Sequence, residues 1–559
     1  MLGDEPLLAS LRALDLADGD ADAVTRLLAD LGADVLKVEP PSGSTARAAL
    51  PTLDGVSIEV ERQDILIRHE GAEATRETSS HVTATTARVF IGGRFRAADK
   101  VVPVVEAATG EPLGDGASAT ESDIDDAVFA ARSALHGWRS SPPEYRAEVL
   151  TAFAAALRSR ADSTNELVTR ENGMPISLSR GVNGAFPAAL LRYYAKLITE
   201  SPVEEVRPSA IGHTIVRREA VGVVGAVIPW NYPQALAAMK IAPALAAGCT
   251  LVLKAAPETA LDAMVFADAA VEAGLPTGVL NVVPGGVAAG AHLVAHPGVD
   301  KVAFTGSTAA GRAIGEICGR LMRPVTLELG GKSAAIILDD ADLDATMRGL
   351  RAASFVNNGQ TCHLSSRILA PRSRYDEIVD ALAALAESLT VGDPLDASTE
   401  IGPLVSARQR ERVLNYIDVG KKSGARLVAG GSIPKDQPRG WFVSPTVFAD
   451  VDNTDRLAQE EIFGPVLTVI GYDTDEEAIA IANDSEFGLA GTVWSTDTER
   501  ATDVARAVDT GSIGVNDYQL DMRAPFGGVK ASGLGRELGP EGLDAYRTLK
   551  SIYRVGPAS

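Results

Sequence analysis

The 559-residue chain reads as an α/β protein with a parallel, doubly wound sheet followed by a second α/β region. Three observations predict this. From Ala220, short β-branched apolar runs alternate with helix-length segments and tight turns, the pattern of βα units on a parallel sheet. A second alternation begins at about residue 334. The chain is also too long for one ordinary domain, and its 46% hydrophobic content can fill several cores.

The elements follow in order. Residues 11–16 read as a strand, 23–31 as a helix closed by Gly32, and 34–38 as a strand stopped by Pro40-Pro41. Residues 46–87 are polar, and the Glu/Thr/Ser cluster from Glu70 to Thr86 reads as a linker. A new pattern starts at Val89, with a short strand, a turn at Thr109-Gly110, helices at about 122–135, 144–160 and 187–198, and a Pro-bounded hairpin near 201–220. Strands are then expected at 221–228, 250–254, 279–283, 301–305 and 325–329, with helices at 233–246, 259–272, 288–295 and 309–318 between them. Such sheets bind ligands beyond the C-terminal ends of their strands. The second region alternates helices at 342–357, 374–388 and 405–423 with strands near 366–370, 465–471 and 490–495. The tail after Gly539 is expected to pack on another domain or subunit.

Composition narrows the partners. A net charge of -22 argues against nucleic acid and anionic membrane. The most apolar run, 235–253, is interrupted by Lys240 and Pro243, so no membrane span is expected. Asp4 and Glu5 stand where a signal peptide would carry basic residues. Three scattered cysteines, Cys249, Cys318 and Cys362, give neither a disulfide framework nor a metal-ligand spacing. The expectation is a soluble, reduced, cytoplasmic protein with no metal site.

One cysteine stands out by its surroundings. Asn357-Asn358-Gly359-Gln360-Thr361-Cys362-His363 places it among small and amide-bearing residues, where Gly359 allows close backbone approach and Asn358 and Gln360 offer hydrogen bonds. Gly331-Lys332-Ser333 is not a phosphate loop, because Thr326 occupies the glycine position that motif needs. Gly306-Ser307 to Gly311 does fall at a strand-to-helix turn, where backbone N–H groups and the helix N-terminus favour a pyrophosphate.

Four further stretches join these two. They are Pro229-Trp230-Asn231-Tyr232-Pro233, Glu328-Leu329-Gly330-Gly331-Lys332-Ser333, Glu461-Ile462-Phe463-Gly464-Pro465, and Pro525-Phe526-Gly527-Gly528 with Gly535-Arg536-Glu537. In this order they resemble the aldehyde dehydrogenase superfamily, from about Val89 to the C-terminus. Glu328 precedes Cys362 by 34 positions, as that family's general base precedes its nucleophile.

The resemblance implies an aldehyde-dehydrogenase-like fold. A Rossmann-type domain would span 88–200 and 221–329, a catalytic domain 330–535, and an oligomerisation element 201–220 and 540–559. It implies Cys362 as nucleophile, Asn231 as oxyanion donor and Glu328 as the base that activates water. Lys240 and Glu537 match a family lysine near the active site and an acidic residue near the water path. For the cofactor it implies Ile228, Pro229 and Trp230, Lys254 at the adenosine ribose, Gly306, Ser307 and Gly311 at the pyrophosphate, and Glu461 and Phe463 at the nicotinamide ribose. Pro257, with Glu258 next to it, stands where the family often has a ribose-binding glutamate, so NAD is expected and NADP stays open. The implied partners are a small-molecule aldehyde and further copies of the chain, as a homodimer or homotetramer.

Two features leave alternatives. Residues 27–43 are similar to the opening of family III CoA-transferases, which raises a CoA-acylating dehydrogenase as a second reading and a non-enzymatic scaffold as a third. Glu328 favours hydrolysis, because CoA-acylating members lack that base. His363 is read as a substrate-pocket residue and not as a Cys–His partner, since neighbouring side chains in an extended segment point opposite ways. Asp517, Tyr518, Gln519, Asp521 and Tyr193-Tyr194 are expected along the substrate path.

Overall fold

The computed structural model describes residues 87–556 and, before them, four short strands. It divides into two compact units, residues 1–82 and 83–559. In the first unit Arg12–Asp15 pairs in parallel with Asp34–Lys37, close to the two expected strands. The helix expected at 23–31 and the linker expected at 70–86 lie outside the described residues. Val56–Glu61 and Asp64–His69 form an antiparallel hairpin inside a stretch read as merely polar. Its alternating Val56, Ile58 and Val60 is a strand signal, but Arg62-Gln63 carries no turn residue to announce it.

In the second unit the first sheet has eight strands. Its parallel centre runs in the order Val325–Glu328, Lys301–Thr305, Val223–Val227, Thr250–Lys254, Leu280–Val282. The chain steps outward from Val223–Val227 on one side, then returns to lay Lys301–Thr305 on the other. The strand order therefore reverses between these two neighbours, where a ligand crevice opens. Pro229–Asn231 follows one of them and Gly306–Gly311 follows the other. Antiparallel strands close the edges: Arg88–Ile91 and Arg94–Ala97 on one side, Gly533–Leu534 on the other. The last pair sets Gly533 opposite Glu328, so the end of the stretch read as catalytic completes the first sheet.

Successive strand residues feed opposite cores, as the pleat requires. Ala303 packs with Val224 and Ala226 under helix Pro233–Ala247, while Val302, Phe304 and Leu327 enter the core on the other face. Helix Pro233–Ala247 is buried along its whole length, which puts Lys240 inside the protein. The helix expected at 259–272 begins only at Met264. Pro257–Thr259 makes a 3-10 turn instead, and the N–H groups of Leu261 and Asp262 donate to the Glu171 carboxyl (2.9 and 3.2 Å). Helix Ala161–Asn172 was hidden in the sequence by a polar run rich in Ser, Thr and Asn.

The second sheet has seven strands in the order Arg426–Ala429, Thr446–Ala449, Val466–Tyr472, Ser365–Pro371, Ser333–Ile337, Gly491–Trp494, Gly514–Val515. All but the first pairing are parallel. A third sheet joins Glu204–Ser209, Gly212–Ala220 and Arg547–Val555, with the tail strand paired to its neighbour from Gly212↔Val555 to Ala220↔Arg547. Among the described residues no helix is long and apolar enough to cross a membrane.

Candidate active site

The cysteine stretch leaves helix Leu343–Phe355 and reaches Cys362 just before strand Ser365–Pro371. Asn357, Asn358 and Gly359 all have left-handed backbones (φ 54°, 60° and 75°). Asparagine tolerates that region better than most side chains. Gly359 is required twice over, because a Cβ there would collide with the Gly464 carbonyl. Amide side chains clamp the turn. Asn358 donates to the carbonyls of Gly173 and Pro403 (both 2.8 Å) and accepts from Gly402 N–H (2.6 Å). Gln360 Oε1 accepts from Val405 N–H (3.0 Å). Asn357 Nδ2 donates to Asn231 O (3.0 Å), and Asn231 Nδ2 donates to Gln360 O (3.1 Å). The nucleophile candidate and the oxyanion-donor candidate are thus held by reciprocal bonds. The amides that the sequence offered as ligand contacts are spent on backbone.

Cys362 opens on a cleft of about 450 Å³ with Pro229, Trp230, Asn231, Gly306, Ser307, Glu461 and Phe463. These eight expected residues come together from both sheets. Ser307 caps helix Thr308–Arg320, accepting from Ala310 N–H (3.3 Å). Phe463 sits at φ 63° with its ring edge-on to Trp230, centroids 5.5 Å apart. Glu461 Oε1 accepts from Gly331 N–H (3.1 Å), and a Cβ on Gly330 would lie 2.6 Å from Glu461 Oε2. The Gly330-Gly331 pair therefore makes room for that carboxylate, and Gly331 for the Cys362 carbonyl.

Other expected residues stand apart from the cleft lining. Ile228 is a core residue whose N–H donates to Lys254 O (3.1 Å). Gly311 is buried under Leu329, where a Cβ would not fit. Lys254 is buried with its ammonium on Gly285 O (2.9 Å), and burial pulls its pKa down to about 8. Glu328 lies over Gly527, 3% exposed, and neither of its oxygens has a hydrogen-bond partner. Burial and the neighbouring Glu537 hold it well above the usual carboxyl range, against the pull of Lys240 and Arg536. Lys240 and Glu537 form a buried ion pair (2.8 Å), and Lys240 also donates to Thr305 Oγ1 (2.6 Å).

The helix expected at 405–423 forms as Ala407–Ser423, but its place at the cleft, where Arg408, Gln409 and Arg412 help to line it, was not read from the sequence. Gln409 Nε2 donates to Phe463 O (2.8 Å), and Arg412 donates to Glu461 O (2.5 Å) and Ile462 O (3.3 Å). They pin the backbone that carries Glu461 and Phe463. Their stretch, Ala407–Ser423, reads as a solvated charged helix because only its first turns face the site. Cys362 and His363 lie in a turn and not in the extended segment expected, so the alternation argument does not apply to the His363 side chain. Its ring stacks on Tyr518 (4.8 Å, 23°) and meets Phe526 edge-on. Burial lowers its pKa to about 4, so the ring is neutral near pH 7.

The electrostatics of the cleft are one-sided. Burial, then Glu461, then Glu328 push the Cys362 thiol up to about 12. Burial raises Glu461 to about 7. Among the described residues no lysine or arginine hydrogen-bonds the side chains of Cys362, Glu461 or Glu328, although Arg412 at the cleft and the buried Lys332 pull on Glu461 from farther off. A cationic ring fits that deficit, and the positively charged nicotinamide of an oxidised dinucleotide is such a ring. The cleft also holds a capped helix N-terminus for a pyrophosphate and a carboxylate, Glu258, beside Lys254.

Comparison with known proteins agrees with this chemistry. The pattern of the aldehyde dehydrogenase family matches residues 95–552. Geranial dehydrogenase of Castellaniella defragrans is 54% identical over 473 residues, covering 84% of this chain and 98% of that protein. The crystal structure of a Mycobacterium tuberculosis aldehyde dehydrogenase complexed with NAD+ is 47% identical, with a TM-score of 0.83 over 85% of this chain and 100% of that one. Aldehyde dehydrogenase C from Pseudomonas syringae, a mutant complexed with NAD+ and octanal, is 38% identical, with a TM-score of 0.81 over 84% of this chain and 96% of that one. The family match begins at residue 95, and these comparisons do not support the expected likeness of residues 27–43 to CoA-transferases. A partly buried cysteine on an amide-clamped turn, opening on a cleft that also holds a helix N-terminus, accords with these matches, and the chain belongs to the aldehyde dehydrogenase family.

Proposed function

We propose that the chain oxidises an apolar aldehyde to its carboxylic acid with NAD, through a thioester on Cys362. The observation that carries the hydrolytic reading is Glu328. Its carboxyl is buried with both oxygens unpartnered, and it acts electrostatically on the Cys362 thiol. A buried carboxyl without a hydrogen-bond partner is costly and is expected where proton transfer needs one.

The Cys362 thiol loses its proton to solvent through the cleft, and the thiolate sulfur adds to the aldehyde carbonyl carbon, whose oxygen takes the negative charge. Asn231 Nδ2 keeps one N–H beyond the bond to Gln360, and with the Cys362 N–H it would hold the oxyanion. Bound NAD supplies the hydride acceptor. The oxyanion collapses to a carbonyl and leaves the acyl group on sulfur. Glu328 then takes a proton from water, the hydroxide adds to the acyl carbon, and the C–S bond breaks to release acid and thiolate. Lys254 and Glu258 would hold the adenosine ribose, Ser307 the pyrophosphate, and Glu461 the nicotinamide ribose. Glu258 favours a free 2′-hydroxyl over a 2′-phosphate, hence NAD over NADP.

Phe186, Tyr193, Tyr232, Met522 and Cys362 are each half-buried against the first core, and Tyr232 lies within electrostatic reach of Cys362. That set of side chains suits an apolar chain, in keeping with relatives named for geranial and solved with octanal. The three-stranded sheet exposes Val206, Leu549, Ile552, Tyr553 and Val555, and we read it as the self-association element of a homodimer or homotetramer. We read residues 1–87 as a separate structural or docking unit and the protein as cytoplasmic.

Aldehyde and NAD without CoA should give acid and NADH in equal amounts, measured by chromatography and absorbance. Acyl-CoA formed only when CoA is added, with no acid otherwise, would overturn the hydrolytic reading. Glu461→Gln removes the carboxylate that most raises the thiol, so iodoacetamide should modify Cys362 about tenfold faster at pH 8; an unchanged rate by peptide mass spectrometry contradicts this. His363→Ala should shift KM several-fold among aldehydes of different shape while kcat stays within about tenfold. Complete inactivation would instead place His363 in the chemistry.

A further inference from the structure

Behind Glu328 the protein buries two carboxyls and two ammoniums, and only half of them pair. Lys240 binds Glu537 directly, with the ammonium fully buried and the carboxyl 2% exposed. Glu328 is left without a partner, and Lys301 is left without an anion. Lys301 is 2% exposed, and its one hydrogen bond is to the neutral Thr326 hydroxyl (2.8 Å). Its ammonium also lies 5.3 Å over the Tyr546 ring.

The sheet register explains why these leftovers belong together. Lys301, Ala303 and Thr305 share one face of their strand. Thr326 lies opposite Ala303, and Glu328 lies opposite Thr305. Lys301, Thr305, Thr326 and Glu328 therefore line one face of two neighbouring strands. It is the face on which Ala303 packs against helix Pro233–Ala247, the helix that carries Lys240. Lys301 stands at the far end of this row from the cleft. A buried ammonium bound only to hydroxyl and aromatic groups is costly, and burial draws its pKa down to about 8 with Cys249 and Glu537 opposing. Packing alone would be met by methionine.

We propose that Lys301 is a positioning residue for deacylation, a second ammonium that acts from behind the sheet on the Glu328–Glu537 carboxyl pair and helps Glu328 act as a base. The inference rests on the thioester reading above. Glu537 is faced by Lys240 from the helix, Lys301 from the sheet, Tyr194 and Tyr546, and Glu328 by Glu537, Lys240 and Arg536, with Cys362 and Tyr518 on the cleft side, so Lys301 reaches Glu328 through Glu537. Only Lys240, Arg536 and Lys301 bring positive charge. The proton that Glu328 takes from water moves onto this pair, and a neutral side chain at 301 leaves the pair more reluctant to give it up.

The test uses the full-length protein with NAD and aldehyde. In Lys301→Met the first NADH per site should form at the wild-type rate, because addition and hydride loss do not need the base for water. Steady-state turnover at pH 7 should fall about tenfold, and the acid limb of the kcat profile should move up by about one pH unit. Intact mass after acid quench should show more acyl-enzyme than in wild type. Lys301→Arg should restore most of the turnover. A folded Lys301→Met with unchanged kcat and pH profile overturns the proposal, as does a first turnover that slows as much as the steady state. Loss of a cooperative melt in both variants also counts against it, since a group acting through charge tolerates arginine. A wild-type protein that never carries an acyl group on sulfur fails the parent reading instead, whatever the variants do.

Discussion

The site depends on the amide clamp around the turn that ends at Cys362. Two asparagines and a glycine in succession adopt left-handed backbone, at a cost of about 1 kcal/mol for each non-glycine residue. Hydrogen bonds that Asn357 and Asn358 donate to buried carbonyls, and that Gln360 accepts from the Val405 N–H, offset it, each contributing about 1 kcal/mol. The same bonds join the strand end that carries Asn231 to the turn that carries Cys362. Position and stability therefore have one source. A looser turn would put the sulfur and the oxyanion donor out of register.

The clamp delivers the sulfur into an environment hostile to its own charge. Burial and two carboxylates keep the proton on Cys362, and the same burial raises Glu328 and Glu461. The cleft is short of positive charge in contact with these groups, while positive charge is stored behind it as Lys240 and Lys301. Reactivity would then follow occupancy of the cleft, which guards a thiol that opens on it from adventitious chemistry.

Much of this was legible in the sequence, for identifiable reasons. The central strands are continuous apolar runs, as strands buried on both faces must be, and Thr250–Lys254 and Lys301–Thr305 fall on the residues expected. Cys362, Asn231, Glu461 and Phe463 meet at one cleft because each sits on a motif at the end of a strand or turn. Long-range closure was not legible. Gly533–Leu534 pairs with the Glu328 strand from two hundred residues downstream, and nothing local marks a two-residue strand. Gln409 and Arg412 act through backbone carbonyls, so their partners have no side-chain signature. Lys301 reads as an ordinary strand-initial lysine until the register sets it in line with Glu328. Ile228 and Gly311 carry family motifs, yet their own side-chain positions serve packing.

The central claim is that Glu328 serves hydrolysis of an acyl group carried by Cys362. Glu328→Gln keeps the shape and removes the base. Mixed with NAD and aldehyde and quenched in acid, it should release about one NADH per site. It should carry the acyl mass on the peptide containing Cys362. NADH released over many turnovers with no adduct on that peptide would contradict the account.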